Sequence, residues 1–153
     1  MAWFKNWFNT PYYHLLYKNR DFQEAENFID NLVTYLKPKK EANFFDLACG
    51  KGRHSQFLNK KGFNVVGVDL SEESISAAKL SSNETLKFAV HDMREVFKDH
   101  SFDVVVNLFT SFGYFDDDNE DVDVLKSVTA VLKDDGFFVL DYLNAKQVIN
   151  NLK

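Results

Sequence analysis

Five short strand-like runs, at 43–48, 65–68, 86–90, 104–108 and 137–140, alternate with helical segments along the chain. That alternation is the strongest constraint on the fold. Parallel strands need a crossover connection, and a helix is the crossover that buries its own apolar face on the sheet. The reading is therefore α/β: a doubly wound, mainly parallel sheet with helices on both faces. The helical segments have legible ends. Phe22, Ala25, Ile29, Leu32 and Leu36 recur at steps of three and four, and Pro38 stops that helix. Residues 53–61 follow, with Phe57 and Leu58 inward and Gly62 as the stop. Ser71 caps a helix over 72–80. The acidic run at 116–121 opens a helix carrying Leu125, Val128 and Leu132, and Gly136 breaks it before the fifth strand. Asn144 starts one more helix.

Composition narrows the possible partners. A net charge of −5 disfavours nucleic acid, whose phosphates call for a basic face. No apolar run approaches the roughly 20 residues that span a bilayer, and the opening MAWFKNWFNT lacks the apolar core and small-residue cleavage site of a signal peptide. The single cysteine, Cys49, cannot form an internal disulfide, which suits a cytoplasmic location. At 153 residues the chain is one domain, and its sixteen Phe imply Phe-rich core or pocket walls.

The stretch NFFDLACGKGRH, residues 43–54, places two glycines directly behind an apolar strand that ends near an acid. In doubly wound sheets ligands bind at the carboxyl ends of the strands, so this turn faces the ligand crevice. Gly50 and Gly52 allow a sharp turn and close approach of a ligand, with the free N–H groups of the next helix behind them. The dinucleotide fingerprint needs a third small residue three places after the second glycine, but Arg53 and His54 are bulky and Ser55 takes that place. Asp46, on the strand, is an awkward neighbour for a pyrophosphate and suits a cationic amine. Asp69 ends the second strand nineteen residues after Gly50, where its carboxylate can accept from both hydroxyls of a ribose. A ribose and an ammonium without phosphates describe S-adenosylmethionine.

FDLACGKGRHSQFL followed by VVGVDLS, with HDMR after strand three and FDVVVNLFTSFGYF at strand four, resembles the class I S-adenosylmethionine-dependent methyltransferases over about residues 40–142. The resemblance implies the strand order 3-2-1-4-5. It also implies that Asp46, Ala48, Cys49, Gly50 and Gly52 border the methionine part of the cofactor. Asp69 and Leu70 would hold ribose and adenine, Asp92 the adenine amine with Met93 against the ring, and Asn107 and Leu108 the floor beneath the sulfonium. PYYHLLY looks like the lid of small-molecule members, dividing the chain into a lid and helix, 1–40, and a cofactor-binding core, 41–153. Tyr13, His14, Phe109, Phe112 and Tyr114 are then the candidates for the acceptor side, with Phe115 completing an aromatic rim. His54 is read as an ordinary surface residue, Cys49 as a small apolar filler, and DDDNED as a solvated helix start rather than a metal site.

Methyl transfer is an in-line displacement at an activated sulfonium, which needs alignment and exclusion of water more than a fixed base. No catalytic constellation is visible, and the catalytic residues stay unassigned. NLFT, at 107–110, differs from the Asn-Pro-Pro-aromatic sequence of base-amine methylation, and cytosine C5 methylation would need a cysteine after a proline here. A small-molecule acceptor is the expectation. The superfamily sheet usually has seven strands, whereas this chain stops just past strand five, so FFVL at 137–140 is expected to form an uncovered edge open to self-association. Two other readings stay open: a non-catalytic cofactor-binding or interaction module, and a nucleotide-dependent oxidoreductase of the related dinucleotide fold.

Overall fold

The computed structural model describes residues 22–98 and 101–151, with Thr10 and Tyr12 besides. Tyr13, His14 and most of the expected lid lie outside the described residues. The element order is α1 (Phe22–Leu36), β1 (Asn43–Leu47), α2 (Arg53–Lys60), β2 (Asn64–Asp69), α3 (Glu72–Ala78) with a 3-10 turn at Lys79–Ser81, β3 (Leu86–Val90), β4 (Phe102–Asn107), α4 (Asp118–Val131), β5 (Leu132–Leu140) and α5 (Ala145–Asn151). The five strands form one sheet in the order β3-β2-β1-β4-β5, and every pairing is parallel. The order reverses between β1 and β4, the switch point at which such sheets open a crevice.

Each strand divides its side chains between two cores, because successive residues point to opposite faces. On β1, Phe44 enters a core that includes Ala25 and Ile29 of α1, Phe57 and Leu58 of α2, and Ile75 and Ala78 of α3. Phe45 and Leu47 enter the other core, with Val124, Val128 and Val131 of α4. Burying one such Phe contributes about 1.5–3 kcal/mol, so both layers of helices are anchored through the middle strand. The same alternation turns Asp46 towards the α2 face. Among the described residues no helix is long and apolar enough to cross a membrane.

The fifth strand departs from the sequence reading. The helix before it ends at Val131 and the chain enters β5 at Leu132 rather than at Phe137, so Leu132 belongs to the strand and Gly136 lies within it. The pairing with β4 jumps from Phe102↔Leu132 to Val104↔Phe137, and Asp135 adopts φ 63° inside that irregularity. Leu125 is also corrected: it is 42% exposed, and Val124, Ser127, Val128 and Val131 form the buried stripe of α4. β5 stands at the end of the described sheet, with Phe137 51% exposed.

Candidate functional site

The turn between β1 and α2 is built on three left-handed residues, Ala48 (φ 60°), Gly50 (φ 56°) and Gly52 (φ 76°). Its backbone is tied to the end of β2. Cys49 N donates to Val68 O at 2.9 Å, and Gly50 N donates to Asp69 Oδ2 at 2.8 Å. Gly52 N closes the turn on Cys49 O at 3.0 Å. The two glycines have different reasons. A Cβ on Gly52 would stand 2.5 Å from Phe88 Cζ and 3.3 Å from Ala78 Cβ, so this residue is small because α2 packs closely on β3 and α3. A Cβ on Gly50 would meet nothing within 4 Å among the described residues. Among the described residues Gly50 therefore has no close neighbour at the carboxyl end of the sheet.

Two carboxylates flank this turn. Asp46 is 2% exposed and accepts from Ser55 Oγ at 2.5 Å. Burial pushes its carboxyl up to about 7 against the Ser55 hydroxyl, and the charge of Asp69 adds to the rise. Asp69 is also raised by burial, which the backbone N–H groups of Ser71 and Gly50 offset in part; Ser71 N donates to its Oδ1 at 2.9 Å. The neighbouring Cys49 is buried, and burial pushes its thiol well up, so it stays protonated and fills space.

The loop after β3 meets the same end of the sheet. His91 N donates to Asp69 O at 3.0 Å, which brings the residues that follow alongside β2. Leu70, at the start of the next loop, is half-buried. Asp92 accepts at Oδ1 from Arg94 N (3.0 Å) and Arg94 Nε (2.9 Å), and Arg94 Nη2 reaches Oδ2. Met93 is held by its carbonyl, which accepts from Ser127 Oγ of α4 at 2.6 Å, and by its sulfur, 3.8 Å from Asn107 Nδ2. Asn107 ends β4 fully buried. Its Nδ2 donates to Leu47 O at 3.2 Å, while its Oδ1 has no partner among the described residues. A buried acceptor without a partner costs about 1–3 kcal/mol, and it lies where β1, β4 and the Met93 loop converge.

Beyond β4 the chain turns through two left-handed residues that are not glycine, Phe109 (φ 57°) and Thr110 (φ 59°). Such conformations are costly and collect at functional sites. Asp141 holds them: Phe109 N donates to its Oδ2 at 2.9 Å, Thr110 N to its carbonyl at 3.3 Å, and its own N–H reaches Asn107 O at 3.0 Å. Leu108 buries its side chain in the α1–α2–α3 core. The expected single aromatic rim is divided. Phe109 stacks on His54 with centroids 4.7 Å apart, 5.9 Å from Phe28 and beneath the Arg53 guanidinium, whereas Phe112 and Phe115 pack on the α4 core. Tyr114 is half-buried. His54 is not a surface residue: it is 7% exposed, because Phe109 and Phe28 enclose its ring.

The chain matches the model of a methyltransferase domain family over residues 44–136, the span that runs from β1 into β5. It belongs to the class I S-adenosylmethionine-dependent methyltransferases. Within 105 residues this methyltransferase domain is 42% identical to YqeM of Bacillus subtilis (strain 168), a match covering 67% of this chain and 42% of YqeM. It is 31% identical over 105 residues to a dTDP-3-amino-3,4,6-trideoxy-alpha-D-glucopyranose N,N-dimethyltransferase of Streptomyces venezuelae, covering 67% of this chain and 43% of that protein. The crystal structure of an S-adenosylmethionine-dependent methyltransferase from Clostridium acetobutylicum ATCC 824 matches with a TM-score of 0.70 at 27% identity, over 88% of this chain and 56% of that one. The chain spans about half the length of the curated relatives it matches. Membership of this family sets aside the oxidoreductase reading.

Three contacts were not singled out from the sequence, those of Arg94 on Asp92, Ser127 on Met93 and Asp141 on Phe109, and Ser55, read there only as the fingerprint's third place, holds Asp46. Only Arg94 carried a local signal, since it sits two residues after the acid it holds.

Proposed function

We propose that this domain binds S-adenosylmethionine across the carboxyl ends of β1, β2, β3 and β4 and directs methyl transfer to a small-molecule acceptor. The cofactor supplies a methyl group already activated on a sulfonium. The chain's residues bind it, orient it and exclude water. Asp46, Ala48, Cys49, Gly50 and Gly52 border its methionine part, with ionised Asp46 facing the ammonium. Asp69 and Leu70 hold the ribose and the adenine edge, Asp92 the adenine amine, and Met93 the ring face. Asn107 and Leu108 form the floor, and Asn107 Oδ1 gives that floor an acceptor. The observation that carries this reading is the Gly50–Asp69 pair: a strand-end carboxylate drawn to 2.8 Å from the turn, beside a glycine whose Cβ would meet none of the described residues within 4 Å.

The acceptor side is assigned to Tyr13, His14, Phe109, Phe112 and Tyr114, with residues 1–40 as lid and helix over the core at 41–153. A small acceptor is supported by the amino-sugar relative and by the aromatic turn after β4, where Phe109 stacks on His54 beneath the Arg53 guanidinium. Incubation with methyl-labelled S-adenosylmethionine and a panel of small amines, alcohols and thiols tests it. Label on a small molecule supports the reading, and label on RNA or protein alone contradicts it.

A further inference from the structure

The contacts of Arg94 come from three parts of the chain. Its backbone N–H and Nε donate to Asp92 Oδ1 at 3.0 and 2.9 Å, and Nη2 reaches Oδ2, so the guanidinium grips the carboxylate along one edge. Its other terminal nitrogen, Nη1, pairs with Glu120 in the first turn of α4. The guanidinium carbon Cζ lies over the ring of Phe115, 4.8 Å from the centroid. Glu120 and Phe115 therefore fix the guanidinium, and the guanidinium in turn fixes the Asp92 carboxylate. A planar fork can do this; a point charge on a flexible stem cannot.

We propose that Arg94 is a positioning residue that makes the cofactor site selective for a base bearing an exocyclic amine. This rests on the assignment of Asp92 to the adenine amine. An ionised carboxylate only accepts hydrogen bonds. Held in one rotamer, it receives an amine N–H and opposes a carbonyl oxygen at the same place, because that oxygen would face another acceptor with no proton between them. A carboxylate released from Arg94 can rotate away and let water bridge to the carbonyl, so the opposition fades. The selectivity resides in orientation as well as in charge, and that orientation is set from α4 and Phe115 through one side chain.

The test compares calorimetric affinities for S-adenosylhomocysteine and S-inosylhomocysteine, which carries a carbonyl in place of the adenine amine. Wild type, Asp92→Asn, Arg94→Gln and Arg94→Lys are measured, each with its Tm. Wild type is expected to prefer the adenine ligand by about 100-fold or more, short of the about 10⁴–10⁵ of a fully enclosed hydrogen-bond site because Asp92 is only partly buried. Asp92→Asn and Arg94→Gln are both expected to bring that ratio below about tenfold, with Arg94→Lys restoring only part of it. A collapse in Asp92→Asn with an unchanged ratio in both Arg94 variants overturns the positioning role and leaves the Asp92 assignment standing. An unchanged ratio in Asp92→Asn removes the adenine assignment and the inference with it. Equal weakening of both ligands in Arg94→Gln, tracking a lower Tm, makes Arg94 a structural tie and also overturns the proposal. Arg94→Lys supplies the same comparison if Arg94→Gln does not fold.

Discussion

Gly50 N donates to Asp69 Oδ2 at 2.8 Å, so the turn that follows β1 is fastened to the acid that ends β2. The same carboxylate accepts from Ser71 N at the start of α3. One side chain thus joins the two loops between which the proposed cofactor lies. Asp69→Ala is expected to weaken S-adenosylhomocysteine binding by about 1–3 kcal/mol, the scale of lost charge-assisted hydrogen bonds, and to lower Tm as well. Calorimetry and thermal unfolding of the variant check both; an unchanged affinity in a folded variant removes the ribose assignment.

The two glycines should separate stability from binding. Gly52→Ala forces a Cβ to 2.5 Å from Phe88 in a left-handed residue, and overpacking of this kind costs about 1–3 kcal/mol beyond the backbone strain. Gly50→Ala carries strain of about 1–2 kcal/mol without a clash, but its new methyl group enters the space assigned to the cofactor. Urea unfolding should show the larger loss for Gly52→Ala, while titration should show a loss of about tenfold or more, which is about 1.4 kcal/mol, for Gly50→Ala. The reverse ranking would contradict the division of roles.

Asp46 makes binding depend on pH. Its folded-state value of about 7 lies above the ordinary 3.8, so the folded apo protein holds the proton more tightly than the unfolded chain does. This contribution to apo stability is complete below 3.8 and is lost as pH rises through about 7. Facing an ammonium group, the carboxylate must be ionised. Affinity for S-adenosylhomocysteine should therefore fall as pH drops below about 7, and Asp46→Asn should bind more weakly with a flatter profile. Equal slopes in both proteins would remove Asp46 from the ammonium site.

Asp103 tests the opposite end of the sheet. Partial burial raises its carboxyl, but Lys39 at 2.6 Å, Asn43 N at 2.8 Å and Lys133 at 3.1 Å outweigh burial and hold it at about 2. Its stabilisation is present above 3.8 and is lost as pH falls through about 2. Wild type should lose more stability over that interval than Asp103→Asn, with cofactor affinity near neutral pH alike in both. Parallel acid unfolding curves would show that the ion pairs contribute nothing there.

The fold was legible where the sequence signal was local. β1 reads as NFFDL because its side chains alternate between two cores, and Gly50 with Gly52 marks the turn because glycine tolerates left-handed backbone. Signals set by distant partners were not legible. Ala48, Phe109 and Thr110 take the same left-handed region with no glycine to announce it, held by contacts such as those of Asp141 from 32 residues away. His54 reads as a surface residue until Phe28 and Phe109 enclose it. β5 begins five residues early because pairing with β4 overrides the breaker composition of KDDG. Among the proposed site residues, Asp46 and Asp69 could be located from spacing alone. The fixing of Asp92 by Arg94 and Glu120 could not, since Glu120 lies 26 residues further along the chain.

The carboxyl ends of β1, β2, β3 and β4 are proposed to form a site for S-adenosylmethionine. Calorimetric titration of the 153-residue chain with S-adenosylhomocysteine, with NADH in parallel, tests it most directly. The account predicts micromolar binding of S-adenosylhomocysteine and none of NADH. A folded, monodisperse sample that binds NADH instead, or binds neither, would contradict it.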